Sequence, residues 1–259
     1  ALSGSADTFG GWTLAADLGT PLSDSIGARL NAAYEEFGNH RQYYGGHFIG
    51  LTPTLGAQLG DATTLTATYE YAEDSRTTDR GVPSFAGKPL TGYDETFFGS
   101  PALNRSDVTA HLAHLRLDHE FSDNLSANFN AQYGHYDKSY GNVYARAAAT
   151  AAGTVELEGY ANSTLRENWI AQGNLVWKGD TGGIGHTLLL GFEAATQDTA
   201  DSRRLVEFGA ARASRTTVTL AERIVLPATS LTAISRSSVS DVRALSAYVQ
   251  DQIDIGEHL

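Results

Sequence analysis

The stretch from residue 106 to 141 constrains the fold more than any other part of the chain, because apolar and polar residues alternate in it at every second position. The apolar residues take odd positions in both halves, at Ala113, Leu115, Leu117 and Phe121, then at Leu125, Ala127, Phe129, Ala131 and Tyr133. Successive side chains of a β-strand point to opposite faces, so a period of two predicts strands with one apolar and one polar face. Ser122, Asp123 and Asn124 form a turn signal between the halves. The stretch is therefore predicted to be an antiparallel hairpin.

The same alternation recurs along the chain and predicts about nine strands in all. Outside the hairpin we expect strands near residues 11–19, 26–35, 48–59, 65–71, 165–177, 188–194 and 244–255. Pro53 is the exception within the third of them, because proline cannot donate to a strand ladder. The 27 glycines, 12 tyrosines and 10 phenylalanines suit strands and turns better than helices.

The predicted connections fall into two classes of length. Short turns that end on aspartate are expected at 22–24, 59–61, 121–123 and 178–180, and long connections at 73–105, 142–163 and 198–240. The alanine-rich run 147–152 is interpreted as loop, and a further strand pair near 217–225 is left open. Short turns on one rim with long loops on the other are typical of an outer-membrane β-barrel.

Aromatic residues near the ends of the predicted strands favour the same fold. They lie on the apolar faces at Trp12, Tyr34, Tyr69, Tyr71, Tyr133, Trp169, Trp177 and Phe192. Aromatic side chains concentrate at the two interfaces of a bilayer. We therefore expect an all-β, antiparallel transmembrane β-barrel. The mean hydropathy of −0.25 is compatible with it, since only every second residue of a barrel wall must be apolar.

Composition excludes several classes of function. A net charge of −12 argues against a nucleic-acid partner, which requires a basic surface. The chain has no cysteine, so it forms no disulfide and no thiolate metal site. His111 and His114 are three residues apart on a predicted strand and face opposite ways, so they cannot share a metal ion. Gly182 and Gly183 lack the lysine of a phosphate loop. We expect no enzyme, metal site or cofactor.

Several segments resemble the barrel of TonB-dependent siderophore receptors of the ferrichrome and ferric-pyoverdine type. They are residues 79–83, 96–101, 104–108, 119–122, 132–134, 136–138 and 248–253. The resemblance implies a 22-stranded outer-membrane barrel, closed by an N-terminal plug, that imports ferric chelates with energy from the inner membrane. Residues 1–259 are then expected to form one partial barrel domain that lacks the plug and the C-terminal strands. The implied partners are a ferric siderophore, outer-membrane lipid and, through the plug, the TonB energy-coupling protein.

A receptor of this kind needs no metal ligands of its own, because a siderophore arrives with its iron already wrapped. Aromatic surfaces, hydrogen bonds and arginines facing an anionic complex suffice. The candidate ligand-binding residues lie in three predicted outer loops: Arg41, Tyr43 and Tyr44; Arg80, Tyr93, Phe97 and Phe98; and Tyr136, Tyr140 and Tyr144.

Two alternatives remain open on the sequence. A small passive, porin-like barrel would conduct ions without an energy source. A soluble β-sandwich that binds a ligand or partner also alternates, but its apolar face would be covered by a second sheet.

Overall fold

The computed structural model describes residues 1–254, and almost all of its regular structure is antiparallel β-sheet. Within that range no helix has the length and apolar character needed to cross a membrane. The strands are β1 (Leu2–Ala6), β2 (Trp12–Pro21), β3 (Ile26–Phe37), β4 (Gly46–Gln58), β5 (Thr63–Thr77), β6 (Ser84–Phe85), β7 (Lys88–Pro89), β8 (Arg105–Ser122), β9 (Leu125–Ala145), β10 (Thr154–Thr181), β11 (Ile184–Leu205), β12 (Glu207–Phe208), β13 (Arg215–Thr219), β14 (Thr229–Ser230) and β15 (Ile234–Asp254).

One large sheet contains nearly all of these strands in the order of the chain. Its path is β1-β2-β3-β4-β5-β8-β9-β10-β11-β15, with β13 paired to the upper part of β10, and every pairing is antiparallel. The short strands β6 and β7 pair with each other in one loop, and β12 and β14 pair in another. A sheet in which each strand pairs with its neighbour in sequence is an up-and-down meander, the arrangement of a barrel wall.

The connections sort by length onto the two rims, as predicted. Four short turns lie on one rim, at residues 22–25, 59–62, 123–124 and 182–183. On the opposite rim lie the connection 7–11 and the loops 38–45, 78–104, 146–153 and 206–233. The side of the sheet with the short turns is called the turn rim below, and the other side the loop rim.

The alternating residues form one apolar wall on a single face of the sheet. Leu115 pairs across the strands with Ala67 and Ala131, so apolar residues stand side by side on the same face. Leu115 is 39% exposed and Phe129 is 38% exposed, and no second layer of the described chain covers them. This exposed face is incompatible with the β-sandwich alternative, in which it would be buried. The polar residues between them face the concave, inner side.

The predicted aromatic residues lie on the outer wall near its rims. Trp12 stacks on Tyr34 at 4.9 Å between ring centroids, and Tyr133 lies against Trp169 at 4.6 Å. These pairs lie on the loop-rim side of the wall, whereas Trp177 lies near the turn rim. The two levels match the aromatic girdles that flank the apolar band of a membrane barrel.

The strands on the loop-rim side are longer than the sequence pattern predicted, which corrects three expected connections. The expected connection 142–163 is mostly strand, because β9 continues to Ala145 and β10 begins at Thr154, which leaves only a short loop without a helix. The irregular stretch expected at 198–240 likewise contains the ends of β11 and β15. β5 and β8 shorten the expected connection 73–105. Outside the membrane both faces of a strand can be polar, so the period of two disappears from the sequence.

Three smaller expectations also meet the structure. The first strand, β1, was not predicted, and one strand of the pair left open near 217–225 exists, as β13, which ends at Thr219. Pro53 pairs with Leu30 on one side, but the ladder to β5 is interrupted there, as its missing N–H requires. The predicted end of the last strand at 255 and the turn signal after it lie outside the described residues.

Candidate functional site

The long strands continue well above the membrane-spanning wall. β9 has 21 residues, β10 has 28, β11 has 22 and β15 has 21. About 9 to 11 residues are enough for a tilted strand to cross a bilayer. The remaining residues form an extension on the loop-rim side of the membrane-spanning wall, and the inner face of this extension carries the candidate site.

An arginine–tyrosine cluster occupies the inner face of the extension, and we call it the Arg80 cluster. The guanidinium of Arg80 donates to the Tyr160 hydroxyl at 2.7 Å and lies 4.4 Å from the centroid of the Tyr144 ring. Arg203 covers the Tyr160 ring at 4.1 Å. Tyr140 lies 6.1 Å from Tyr160, centroid to centroid. The cluster thus joins two cations to three aromatic rings, a surface suited to planar anionic groups.

Tyr144 is tied to its surroundings by a short hydrogen bond. Its hydroxyl donates to the Glu158 carboxylate at 2.7 Å. Burial, together with that hydrogen bond, raises the pKa of the Tyr144 phenol above its usual value. Glu158 itself is neutralised by Arg146 at 3.1 Å and Arg215 at 3.7 Å. Tyr144 is therefore an uncharged ring at neutral pH, and the nearby carboxylate does not cancel the charge of Arg80.

Asn142 lies in the centre of the same face and is unusual in its hydrogen bonding. It stands between Tyr140 and Tyr144 at every second position of β9, and it pairs across the ladder with Tyr160. Asn142 is fully buried, and neither its amide nitrogen nor its amide oxygen has a partner among the described residues. An unsatisfied buried polar group costs about 1–3 kcal/mol, so such a group calls for an explanation.

The inner wall below the cluster is also basic. Register places Lys138 one row, and Arg166 two rows, below Tyr140 and Arg203 on the same face. Neither Lys138 nor Arg166 forms an ion pair with a carboxylate of the described chain, and the same holds for Arg80 and Arg203. The carboxylate of Asp201 in this region is held by Arg236 at 2.7 Å. The lumen-facing surface at the loop rim is therefore positively charged in a chain whose net charge is −12.

The loop that carries Arg80 is fixed at its base by Asn104. On the edge of β9 that faces β8, strand pairing stops at Tyr140, and the Asn104 amide continues it. This amide accepts from Val143 N at 2.7 Å and donates to Val143 O at 2.9 Å. The same amide donates to Thr78 O at 2.9 Å, and Thr78 in turn donates to Gly141 O. Gly141 has no Cβ, which allows the Leu103 carbonyl to approach its Cα closely. These contacts hold the loop 78–104 against the extension.

Arg41, a predicted ligand contact, links two of the outer loops. Its guanidinium forms an ion pair with Asp79 and donates to Thr96 O at 3.2 Å. Both partners of the ion pair are largely buried, with side-chain exposures of 14% and 11%. A third loop joins them, since Glu222 O accepts from Gln42 and from Thr96. Arg41 is engaged in holding the loops together.

The predicted aromatic contacts of the second loop are used in packing. Phe97 and Phe98 are each 3% exposed, and Tyr93 packs edge-on against Phe98 at 6.2 Å between centroids. Phe98 belongs to the one large cluster of buried apolar residues in the described chain, formed also by Val143, Val155, Leu157, Val206, Phe208 and Val218. The rings of Phe97 and Phe98 are thus enclosed by packing, whereas Tyr93 is half-buried.

The other predicted residues lie at separate places. Tyr43, which is 47% exposed, lies in the first loop against Phe97, and Tyr44 forms a turn with Arg41. Tyr136 is lower on the inner wall, under the Lys138 ammonium at 5.4 Å. Of the ten predicted residues, the structure brings Arg80, Tyr140 and Tyr144 together.

Three members of this surface were missed in the sequence: Asn142, Tyr160 and Arg203. All of them fall in stretches that were expected to be loops. In strands of the observed length, Asn142 points inward like Tyr140, two residues before it in β9. Pairing with β10 and β11 then places Tyr160 and Arg203 on the same face. Longer strands were the missing signal.

The described residues contain no group of three or more histidine, aspartate, glutamate or cysteine side chains that could hold a metal ion. As predicted, His111 and His114 lie on opposite faces. His111 accompanies Tyr69 on the outer wall, whereas His114 pairs with Gln132 on the inner face.

Comparison with known proteins identifies the wall. Residues 50–259 match the family described as TonB dependent receptor-like, beta-barrel. The chain belongs to this family. Its members are bacterial outer-membrane transporters and receptors, so this chain is an outer-membrane β-barrel segment and not an enzyme. Family membership also favours a receptor over a passive porin-like barrel.

Curated relatives of this receptor segment cover it only in part. The metal-pseudopaline receptor CntO of Pseudomonas aeruginosa is 26% identical over 196 residues, which make up 74% of this chain and 27% of that protein. The probable TonB-dependent siderophore receptor PiuA of Acinetobacter baumannii is 25% identical over 167 residues, 58% of this chain and 22% of that protein. The chain therefore spans about a quarter of the length of these relatives.

Solved receptor structures share the fold over nearly the whole chain. The ferric-catecholate import receptor Fiu from E. coli K12 superposes with a TM-score of 0.73 at 19% identity, over 99% of this chain and 41% of that one. FpvA of P. aeruginosa, bound to a heterologous pyoverdine, superposes with a TM-score of 0.81 at 12% identity, over 99% of this chain and 34% of that one. At these identities the likeness establishes the fold of the TonB-dependent receptor barrel.

Proposed function

We propose that this chain is one sector of the barrel of a receptor that imports ferric siderophores across the outer membrane. The observation that carries the proposal is the Arg80 cluster, which lies on the lumen-facing side of the wall at the loop rim. A chelate that arrives from outside meets this surface before it reaches the lumen. The relatives named as a metal-pseudopaline receptor and as a probable siderophore receptor support this class of cargo.

Transport in this proposal depends on TonB. The chelate binds at the loop rim, and energy from the inner membrane reaches the receptor through a plug domain that contacts the inner wall. The polar inner face is suited to such a contact, because asparagines and glutamines line it at Asn128, Asn130, Gln132, Asn168, Gln172 and Asn174. Transport in this proposal requires no metal ligand and no resident cofactor from the wall, because the iron remains held by the chelate.

The test is uptake by the full-length receptor in cells that lack their own siderophore receptors. We expect radioactive iron supplied as a ferric siderophore to accumulate only when TonB is intact and the membrane is energised. The matched control is the same receptor in cells without TonB, which should bind chelate at the surface but accumulate none.

Two outcomes would reject the proposal. Accumulation that continues without TonB would indicate a passive pore, and so would stable ion conductance of the purified protein in planar bilayers. Failure to bind or import any ferric chelate would exclude siderophores as the cargo.

A further inference from the structure

The cations of the inner wall are the starting point, because they are concentrated where the chain as a whole is acidic. Arg80, Lys138, Arg166 and Arg203 all face the lumen at the loop rim, and none has a carboxylate partner in residues 1–254. Unpaired like charges repel one another, and their repulsion grows as water is displaced by a ligand. This surface therefore favours the binding of a negatively charged ligand.

The tyrosine faces in the cluster argue against the opposite preference. An aromatic cage can bind a cationic ligand on its ring faces. Here Arg80 lies over Tyr144 at 4.4 Å and Arg203 lies over Tyr160 at 4.1 Å. These ring faces are already occupied by the protein's own cations, and a positive ligand would have to displace them against repulsion from Lys138 and Arg166.

Asn142 supplies an independent observation on the same face. It is completely buried, it lies between Tyr140 and Tyr144, and both polar atoms of its side chain lack partners. An unsatisfied buried amide calls for an explanation, and a ligand oxygen that enters the cluster supplies one. The Asn142 nitrogen can donate to a negatively charged oxygen that enters the cluster.

Resting on the proposed function, we propose that the receptor selects ferric chelates with a net negative charge, and that Arg80, Arg203 and Asn142 form their binding site. Oxyanions of the chelate accept hydrogen bonds from the two guanidinium groups. Arg80 exchanges its bond to the Tyr160 hydroxyl for one to the chelate, and Asn142 donates to an oxygen of the same ligand. An uncharged chelate would leave the cations desolvated without compensation, which disfavours its binding.

The experiment measures binding of three chelates to the purified full-length receptor by quenching of its fluorescence. The probes are a trianionic ferric tris-catecholate, an uncharged ferric tris-hydroxamate and a ferric tris-hydroxamate with a free ammonium group. We expect the trianion to bind at least about tenfold more tightly than the other two chelates. A tenfold difference in affinity is about 1.4 kcal/mol, and one hydrogen bond to a charged group contributes at least that much. Added salt should weaken its binding and leave the uncharged chelate unaffected.

Variants of the cluster locate the effect, and Arg204 provides a matched control. The double variant Arg80→Gln with Arg203→Gln should bind the trianion at least about tenfold less tightly, and its affinity for the uncharged chelate should not change. Arg204 follows Arg203 directly but points to the outer side of β11, where it donates to Leu231 O. Arg204→Gln should therefore bind all three chelates as the unaltered receptor does. Arg80→Lys, which keeps the charge, should recover part of the affinity.

Asn142→Leu separates a binding role from a purely structural one. Leucine removes the unsatisfied amide at similar volume, so the protein should become more stable while it binds the trianion less tightly. Stability gained with unchanged binding would remove Asn142 from the site.

Two further results decide the inference and the proposed function separately. Equal binding of the three chelates, or a double variant that binds the trianion normally, would overturn the charge selection and leave siderophore import intact. Failure of every chelate to bind would overturn the import function and this inference with it.

Discussion

Leu115 in the wall and Leu157 in the extension are leucine side chains in two different environments. Leu115 is 39% exposed on the outer face of the sheet, whereas Leu157 is 0% exposed under the outer loops. The membrane-spanning wall is one sheet thick and uses lipid as its apolar neighbour. The extension is covered by the loops 78–104 and 206–233, and it forms a core of its own.

The difference explains where the candidate site lies. In the wall, alternation alone keeps apolar residues towards lipid, and the inner residues face a wide lumen. In the extension, the loop 78–104 packs against the strands and holds Arg80 beside Tyr144 and Tyr160. Packing above the membrane therefore positions the binding surface, and the wall supports it.

The sharpest test of this difference is to truncate one leucine side chain to alanine in each region. Leu157→Ala should destabilise the extension by about 2–5 kcal/mol, because removal of the side chain from a packed core leaves a cavity. Leu115→Ala should cost less than about 1 kcal/mol, since lipid chains are as apolar as leucine and fill the space. Hydrogen exchange of the backbone amides near each site gives both values.

Tryptophan fluorescence sharpens the reading, because all three tryptophans lie on the wall, at Trp12, Trp169 and Trp177. Their unfolding transition in urea should not move in Leu157→Ala if the extension unfolds separately. A transition displaced by the full cost of Leu157→Ala would show that the wall and the extension form one cooperative unit.

A charge placed on each face of β9 tests the sidedness of the wall. Ala131 lies on the outer face beside Leu115 and Ala171, and Gln132 lies on the inner face beside His114. Ala131→Arg should lower the free energy of unfolding in a bilayer by about 2–4 kcal/mol, as arginine does near the bilayer midplane. Gln132→Arg should cost far less because its side chain remains in water. Similar losses in both variants would mean that the outer face does not meet lipid.

The wall could be predicted from the sequence because its physics is local. Apolar and polar residues must alternate along each strand that crosses lipid, so the sequence alone shows that residues such as Leu115 and Phe129 lie on the outer face. The sorting of short and long connections followed from turn signals such as Ser122-Asp123-Asn124. β1 escaped detection because Leu2 to Ala6 is too short and too small in side chains to show a period.

The extension could not be predicted in the same way. Between residues 198 and 204 polar side chains occupy both faces of β11, so no periodicity marks it as strand. Arg80, Tyr140 and Tyr144 have the side chains expected of a ligand-binding loop, but so do Phe97 and Phe98, which are buried. Only the register of β9 against β10 places Asn142 and Tyr160 side by side.

Replacement of the Asn104 amide tests whether the loop base positions Arg80. Asn104→Ala removes hydrogen bonds to Ser100, Thr78 and both backbone groups of Val143. We expect a local loss of about 2 kcal/mol, seen as faster hydrogen exchange of the Val143 amide and faster proteolysis of the loop.

Asn124→Ala is the matched control for that variant. The Asn124 side chain accepts from the Ser122 hydroxyl in an exposed short turn, and its backbone carbonyl, which alanine retains, accepts from Lys178 N. The loss of free energy should therefore lie within about 0.5 kcal/mol. Unchanged protection of Val143 in Asn104→Ala would show that the loop 78–104 is held mainly by its apolar contacts.

The smallest expected effect is a pH dependence confined to the loop 206–233. The Glu207 carboxylate accepts from Thr232 and from Arg212, and these partners, opposed by burial, hold its pKa below the usual value. A carboxyl whose pKa is depressed on folding stabilises the fold above its unfolded pKa, and that stability is lost as pH falls through the folded value. Protection of the Gly209 amide should therefore be constant from about pH 7 to 5 and decline below about pH 4, after correction for intrinsic exchange. Glu207→Gln should abolish this decline, and a decline that persists in the variant would assign it to another group.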